Sequence, residues 1–404
     1  MGRLMKDSGI PWIGEIPADW SIERMKSIFK ESKEKSEDGK GTLLSLSQYT
    51  GIHFKSDSDR IFNGESLEGY NVVHSGQFVM NIMLAWNGSY AVSDYEGLIS
   101  PAYAVFDFTR DAYKKYFHYL LRTPAYSGAF KTMSRGIIDS RLRLYPEYFY
   151  TFPVILPSIS EQQKIADFLD RKCREVDELI ALEEKMIEEL KAYKQSVITE
   201  TITKGLNPDV PMKDSGIEWI GQIPEHWGIC KIQYLVDMRS GHNLTTEQIQ
   251  PDGVYPVFGG NGIRGYYSRF EYDGNYVLVG RQGALCGNVN YANGKFWATE
   301  HAVVCHPRTQ FNTIWFGEAL RSMNLNQYSL SAAQPGLAIE RIKTLPICLP
   351  TLDEQNQIAN YLQKKCKEID SLISIKQSKI AELQDYKKSI IYEYATGKKE
   401  VPTL

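Results

Sequence analysis

Few residue groupings in this 404-residue chain have the types and spacing that chemistry requires. Gly260–Gly265 reads GNGIRG and satisfies G-x-G-x-x-G, the turn that brings backbone amides to a dinucleotide pyrophosphate. That use needs a strand before it, a helix after it and an acidic residue about 20 positions on. Tyr266, Tyr267 and Ser268 follow instead, a poor helix start, so the glycines are expected to make turns. His301–His306 reads HAVVCH, but no second ligand pair stands at zinc spacing. No G-x-x-x-x-G-K-[ST] phosphate loop occurs, which excludes an ATP-driven motor of that kind. An N/D-P-P-Y/F tetrapeptide, which an amino-methyltransferase would need, is also missing; Asn207–Pro208–Asp209 reads as a linker turn. Cys173, Cys230, Cys286, Cys305, Cys348 and Cys366 are dispersed without a CxxC pair and read as reduced thiols. No cofactor and no metal is expected. The densest basic run is KTMSRGIIDSRLRL, with Ser134, Arg135, Arg141 and Arg143.

These residues must be positioned by something, and the bulk composition is that of a globular protein. Hydrophobic residues make up 43% and charged residues 24%, enough for two or three cored domains. No apolar run approaches the roughly 18–20 residues that cross a bilayer. The opening MGRLMKDSG has no signal-peptide core, and Lys6 stands where a myristoylation motif wants Ser or Thr. A cytoplasmic location is expected. The net charge of −3 sits awkwardly with nucleic-acid binding, which depends on clustered Lys and Arg. Any such contact must be local or shared with partner chains.

An internal repeat supplies the architecture. Met5–Trp20 reads MKDSGIPWIGEIPADW and Met212–Trp227 reads MKDSGIEWIGQIPEHW, with 12 of 16 positions the same. Residues 156–200 match residues 349–393 at 21 of 45 positions. Between these blocks, residues 21–155 and 228–348 show little resemblance to each other. The repeat implies a pseudo-twofold, circularly organised molecule whose ends meet.

The long repeated blocks carry a helical apolar stripe: Ile165, Leu169, Cys173, Val176, Ile180, then Met186, Leu190, Tyr193, Val197. The second copy gives Ile358, Leu362, Cys366, Ile369, Ile373, Ile380, Leu383, Tyr386, Ile390. Glu183, Glu184, Lys185, Glu188 and Glu189 are read onto the other faces, and Ser160 (Asp353 in the copy) as the N-cap after Pro157 or Pro350. Forty-odd residues give roughly 60–65 Å of helix. The economical partner for each stripe is its own copy, paired antiparallel. The unlike segments read as short strands over residues 71–108, at VYPVFGG, YVLVGRQG and HAVVCHP, with helices at 112–131 and TIWFGEALRSM. The fold class is α+β: two mixed α/β domains separated by two long helices forming an antiparallel coiled coil. The divisions are 1–155 (with the repeated segment 5–20), 156–206, 207–348 and 349–404.

At this point the residues resemble a family. LPxxxEQxxIAxxL occurs as Leu156–Leu169 and Leu349–Leu362, where each unlike segment joins its helix. Together with residues 80–106, 255–267 and 276–304, this is similar to the DNA-specificity subunits of Type I restriction–modification enzymes, phage-defence systems acting through DNA methylation and cleavage. The resemblance implies a non-catalytic protein with two target-recognition domains, each reading one half of a bipartite, asymmetric double-stranded DNA site. The paired helices would fix the gap. Two modification (methyltransferase) subunits would dock along them, and restriction (nuclease–translocase) subunits would join. Arg and Asn or Gln suit bidentate contacts to guanine and adenine edges. The candidates are therefore Asn81, Trp86, Asn87, Ser134, Arg135, Arg141 and Arg143 in the first domain. In the second they are Asn261, Arg264, Arg281, Gln282, His301 and Gln334. A coiled-coil scaffold that binds no DNA, and a specificity protein of a related combined restriction–modification system, remain the alternatives.

Overall fold

The computed structural model describes residues 3–47, 51–55, 67–136, 142–283, 286–329 and 336–402. The chain divides into two compact units, Met1–Glu183 with Ser378–Leu404, and Glu184–Gln377. The division does not follow the repeat boundary. Each unit takes one of the two unlike segments and part of both long helices, Ile159–Lys204 and Leu352–Ala395.

The repeated N-terminal phrase is a hairpin whose residues are dictated by its turns. Met5–Asp7 pairs antiparallel with Glu15–Pro17, and Met212–Asp214 pairs in the same register with Gln222–Pro224. The Asp7 carboxylate accepts from Gly9 N–H at 2.9 Å and the Ser8 hydroxyl from Ile10 N–H at 3.1 Å; Asp214 and Ser215 repeat both bonds. Gly14 and its counterpart Gly221 both stand at φ 70, where a side chain is strained. The DSG and WIG triplets are thus turn chemistry.

The EQ pair of the LPxxxEQ phrase ties hairpin, unlike segment and helix together. Glu161 accepts the indole N–H of Trp20 at 3.0 Å, and Glu354 that of Trp227 at 3.1 Å. Gln162, 4% exposed, accepts Tyr113 N–H at 2.9 Å and donates to Pro157 C=O at 3.0 Å. Gln355 does the same with Asn312 N–H and Pro350 C=O. The helices begin two residues earlier than the sequence implied. Ser158 and Thr351 are the N-caps, each hydroxyl accepting the N–H of the third helical residue, Glu161 or Glu354, and the Glu354 carboxylate reaches back to Thr351 N–H. Ser160 and Asp353 lie inside the first turn, because each helix starts as soon as the proline is passed.

Inside each unit the two helices run antiparallel. In the first, Phe168 packs on Tyr394 at 4.4 Å, Asp177 meets Lys387 at 2.7 Å and Glu183 meets Lys379 at 2.6 Å. In the second, Lys194 meets Asp370 at 2.7 Å and Lys376 approaches the Met186 sulfur at 3.3 Å. Ile165, Leu169, Val176, Ile358, Leu362 and Ile369 are buried; Ile180, Leu190, Ile373 and Leu383 are half-buried. Two placements differ from the stripe read in the sequence. Tyr193 and Tyr386 are 50% and 52% exposed. The seam passes instead through Ile187, Leu190 and Lys194, and one residue of offset turns a side chain 100° away. Glu183, read as solvent-facing, is only 4% exposed.

The unlike segments, nearly unrelated in sequence, share one sheet order. In the first unit it is Phe29–Ser32, Tyr103–Phe108, Phe78–Asn81, Tyr90–Val92. In the second it is Val236–Ser240, Ala302–Pro307, Tyr276–Gly280, Val289–Ala292. Every pairing is antiparallel in both, and a helix follows each: Lys114–Leu121 and Thr313–Ser322. The cores are built from different side chains. The first is aromatic, with Phe29, Phe78, Phe106 and Phe149 in mutual contact and Phe78 stacked on Phe149 at 5.7 Å. The second relies on Val277, Val279, Val303, Trp315 and Phe316. It also carries a second four-stranded sheet, ordered Gly262–Tyr267, Tyr255–Gly259, Lys295–Ala298, Tyr272–Asp273. Among the described residues no helix is long and apolar enough to cross a membrane.

Candidate nucleic-acid interface

In the first unit the basic run and the distant Trp86 segment come together on one surface. The short helix Ala85–Asn87 packs on the helix Pro124–Met133, and the Lys131 ammonium stands 5.1 Å from the Trp86 ring. Beyond that helix, Arg135 and Arg143 exchange both backbone hydrogen bonds at 2.9 Å, so two exposed guanidinium groups leave one ladder rung. The Arg135 guanidinium lies over Tyr148 at 4.8 Å. Leu144 N–H bonds Ile82 C=O at 2.9 Å, which fastens this rung to the Trp86 turn. Around it Met83, Leu84, Met133 and Tyr145 are 36–41% exposed. Aromatic and cationic groups on one face can stack on bases and hold phosphates.

Two candidates are engaged within the fold. Asn81 is 5% exposed, and its carboxamide accepts Met83 N–H at 3.0 Å, so it holds the turn that presents Trp86. Ser134 donates its hydroxyl to Phe130 C=O at 2.8 Å and finishes the helix. Asn87 is exposed on the same turn, and Arg141 lies outside the described residues. Sequence reading passed over Lys131, Tyr145 and Tyr148. Their proximity to the basic run was visible, but that Trp86 would reach them was not.

In the second unit Asn261, Arg281, Gln282 and His301 meet where three loops converge. The GNGIRG glycines form a hairpin turn between Tyr255–Gly259 and Gly262–Tyr267, not a phosphate loop. A side chain at Gly260 would stand 3.3 Å from His301 C=O and 3.4 Å from Gln282 C=O, so glycine allows the loops to touch. Arg281 N–H bonds His301 C=O at 2.8 Å, and its guanidinium donates to Ser240 at 3.2 Å. Asn288 donates to Asn261 Oδ1 at 2.6 Å. Arg264 is exposed and folds over Gly259, and Gln282 bridges to Gly336. Gln334 lies outside the described residues. Trp297, which donates to His242 C=O at 3.2 Å and packs edge-on with Tyr267, extends this surface and was not singled out by sequence.

The HAVVCH phrase lies on a central strand. The Cys305 thiol is fully buried and pushed up to about 12, and burial, with Arg239 nearby, lowers His306. His306 is held against the Tyr272 and Tyr276 rings at 5.6 and 5.5 Å. Among the described residues no group of three His, Cys, Asp or Glu side chains could hold a metal ion.

Comparison with known proteins places this geometry. Residues 224–385 match the family described as Type I restriction modification DNA specificity domain. The type I restriction enzyme EcoprrI specificity subunit of Escherichia coli is 44% identical over 134 residues, a stretch covering 32% of this chain and 33% of that protein. The type I restriction enzyme MjaVIII specificity subunit of Methanocaldococcus jannaschii is 24% identical over 96% of this chain and 95% of its own length. Among solved structures, a chain of a type I R-M system studied for complex assembly and conformational transition matches over 95% of this chain and 99% of its own, with a TM-score of 0.74 at 16% identity. The HsdS subunit from Thermoanaerobacter tengcongensis covers 95% of this chain and 98% of its own with a TM-score of 0.54, also at 16% identity. The fold is the one those chains share.

Proposed function

We propose that this chain, a member of the type I restriction–modification specificity subunits, reads a bipartite double-stranded DNA site with one recognition domain for each half. The observation that carries the reading is the constancy of frame against the variety of surface. Two copies of one hairpin-and-helix framework hold two sheets of the same strand order. The exposed loops differ completely: an Arg135–Arg143 rung beside Trp86 in one, an Asn261–Arg281–His301 junction in the other. Two unlike readers on one frame are what an asymmetric site requires. The gap between half-sites is set by the long helices, and half-sites about one duplex turn apart lie on one face of the DNA.

The chain itself is not a catalyst. It supplies sequence selection in the cytoplasm to two modification subunits, which restriction subunits join for cleavage. Leu179 and Leu182, 46% and 52% exposed, and their repeat counterparts Leu372 and Ile375, 48% and 63% exposed, support docking along the helices at two like positions. The net charge of −3 fits a protein that leaves part of the phosphate contact to those partners.

The test is co-expression with a type I modification subunit from the same genome, followed by single-molecule sequencing of methylated positions across a genome. A bipartite motif with a constant gap is the expected result, and replacing residues 228–348 with another such domain should change one half only. Absence of methylation from two proteins that fail to co-purify would leave the non-DNA scaffold in its place.

A further inference from the structure

The framework copies are alike enough along the long helices that two first helices, or two second helices, of different chains could pair in error. Most of the seam cannot tell these arrangements apart. Asp370 is the repeat counterpart of Asp177, and Lys387 that of Lys194, so the Asp177–Lys387 and Lys194–Asp370 bridges are one pair seen from either copy. A like pair would keep Asp177 opposite a Lys194. The helix ends are equally interchangeable. Gly397 abuts Pro17 and Trp20, and Gly205 abuts Pro224 and Trp227, the corresponding residues of the other hairpin.

The middle of the seam differs. The counterpart of Glu183 is Lys376, and the counterpart of Met186 is Lys379. Glu183, 4% exposed, accepts from the Lys379 ammonium at 2.6 Å, and Lys376 reaches the Met186 sulfur at 3.3 Å. We infer that Glu183 with Lys379 is a pairing-specificity element, selecting a first helix joined to a second helix over either like pair. Two first helices in this register would set each Glu183 against a Met186, with the other Glu183 about one helical turn away. Both carboxylates would then be buried without a cation, an arrangement strongly disfavoured in a low-dielectric seam. Two second helices would set Lys376 opposite Lys379 twice over. Only the unlike pair gives the buried carboxylate its ammonium, much as one polar seam position fixes partner and register in coiled coils. The surface this element fits is therefore the other half of the chain.

The test uses the whole protein with a protease site placed in the exposed turn at Pro208–Asp209 and cut after purification, so that both halves stay assembled. Two preparations with different mass labels are mixed at a temperature where halves exchange, and native mass spectrometry reads the pairs. The wild-type sequence should yield unlike pairs only. Glu183→Met with Lys379→Met should raise pairs of two first halves at least tenfold. Glu183→Lys with Lys379→Glu restores an opposed charge pair in the unlike arrangement and would leave two buried ammonium groups uncompensated in a pair of first halves, so such pairs should stay rare; the variant controls for a fold weakened by substitution. Statistical pairing in the wild type, no rise in the Met variant, or pairs of two first halves as abundant in the charge swap as in the Met variant would each overturn the inference.

Discussion

Replacing Glu354 by Ala removes the residue that locks the second hairpin to its helix. Its carboxylate accepts from Trp227 Nε1 at 3.1 Å, His226 Nε2 at 2.8 Å, and Thr351 N–H and hydroxyl at 3.0 and 2.8 Å. Trp227 is 1% exposed, so its indole N–H would be left buried without an acceptor, costing about 1–3 kcal/mol. Losing the reciprocal cap with Thr351 adds about 0.5–1 kcal/mol. A total of about 3 kcal/mol should lower the melting temperature by roughly 6–12 °C in a unit of this size. The same bonds also set the charge on Glu354. Burial works to raise the Glu354 carboxyl, but the bonds from Trp227, His226 and Thr351 outweigh it and hold it at about 2, below its ordinary 4.5. A depressed carboxyl stabilises the fold above its ordinary value and loses that contribution as pH falls from about 4.5 to about 2. The full shift would amount to about 3 kcal/mol. The side chain is 30% exposed, and solvent screening reduces this to about 1–2 kcal/mol. Calorimetry of Glu354→Ala and Glu354→Gln at pH 7 and near pH 3 checks both parts. The Gln variant should melt below wild type at pH 7, and the gap should narrow at acid pH. An Ala variant melting within a degree of wild type, or a Gln deficit unchanged near pH 3, would refute the reasoning.

Arg135→Ala and Arg143→Ala should each weaken DNA binding by the assembled complex and lower the slope of log affinity against log salt by about 1 if they hold phosphates; fluorescence anisotropy across a salt series measures it. Leu182→Lys with Ile375→Lys should leave the melting temperature within about 2 °C, since both side chains are half exposed or more, yet reduce co-purification of the modification subunit. Gly397→Ala should cost more than about 2 kcal/mol in denaturant unfolding, because φ is 73 and the new Cβ would stand 2.5 Å from Pro17. Gly9→Ala, at φ 65 with nothing within 4 Å, should cost only about 1 kcal/mol.

The repeat and its hydrophobic period determined the frame. Helical spacing placed Ile165, Leu169 and Val176 in a buried seam, and antiparallel pairing of the copies followed from economy; within each unit the helices pair that way. Glycine and proline positions located the turns, including the hairpin that the GNGIRG phrase makes. These are local properties, carried by backbone sterics and by period, and a sequence displays them directly. What it could not display depends on groups distant along the chain. The exposure of Tyr193 turns on whether the seam passes through 193 or 194, which the burial of Ile187 and Val197 on the adjoining turns decides, with Lys194 meeting Asp370 on that face. Glu183 looked like one more surface acid until Lys379 was brought to it. Asn81 had the right chemistry for a base edge and is spent on a turn, while Lys131 joins Trp86 across a stretch of chain that no spacing rule spans. The shared sheet order of segments 21–155 and 228–348 was hidden for a related reason. A β-sheet constrains alternation and register but not side-chain identity, so an aromatic core and an aliphatic one can fill the same topology while the loops diverge.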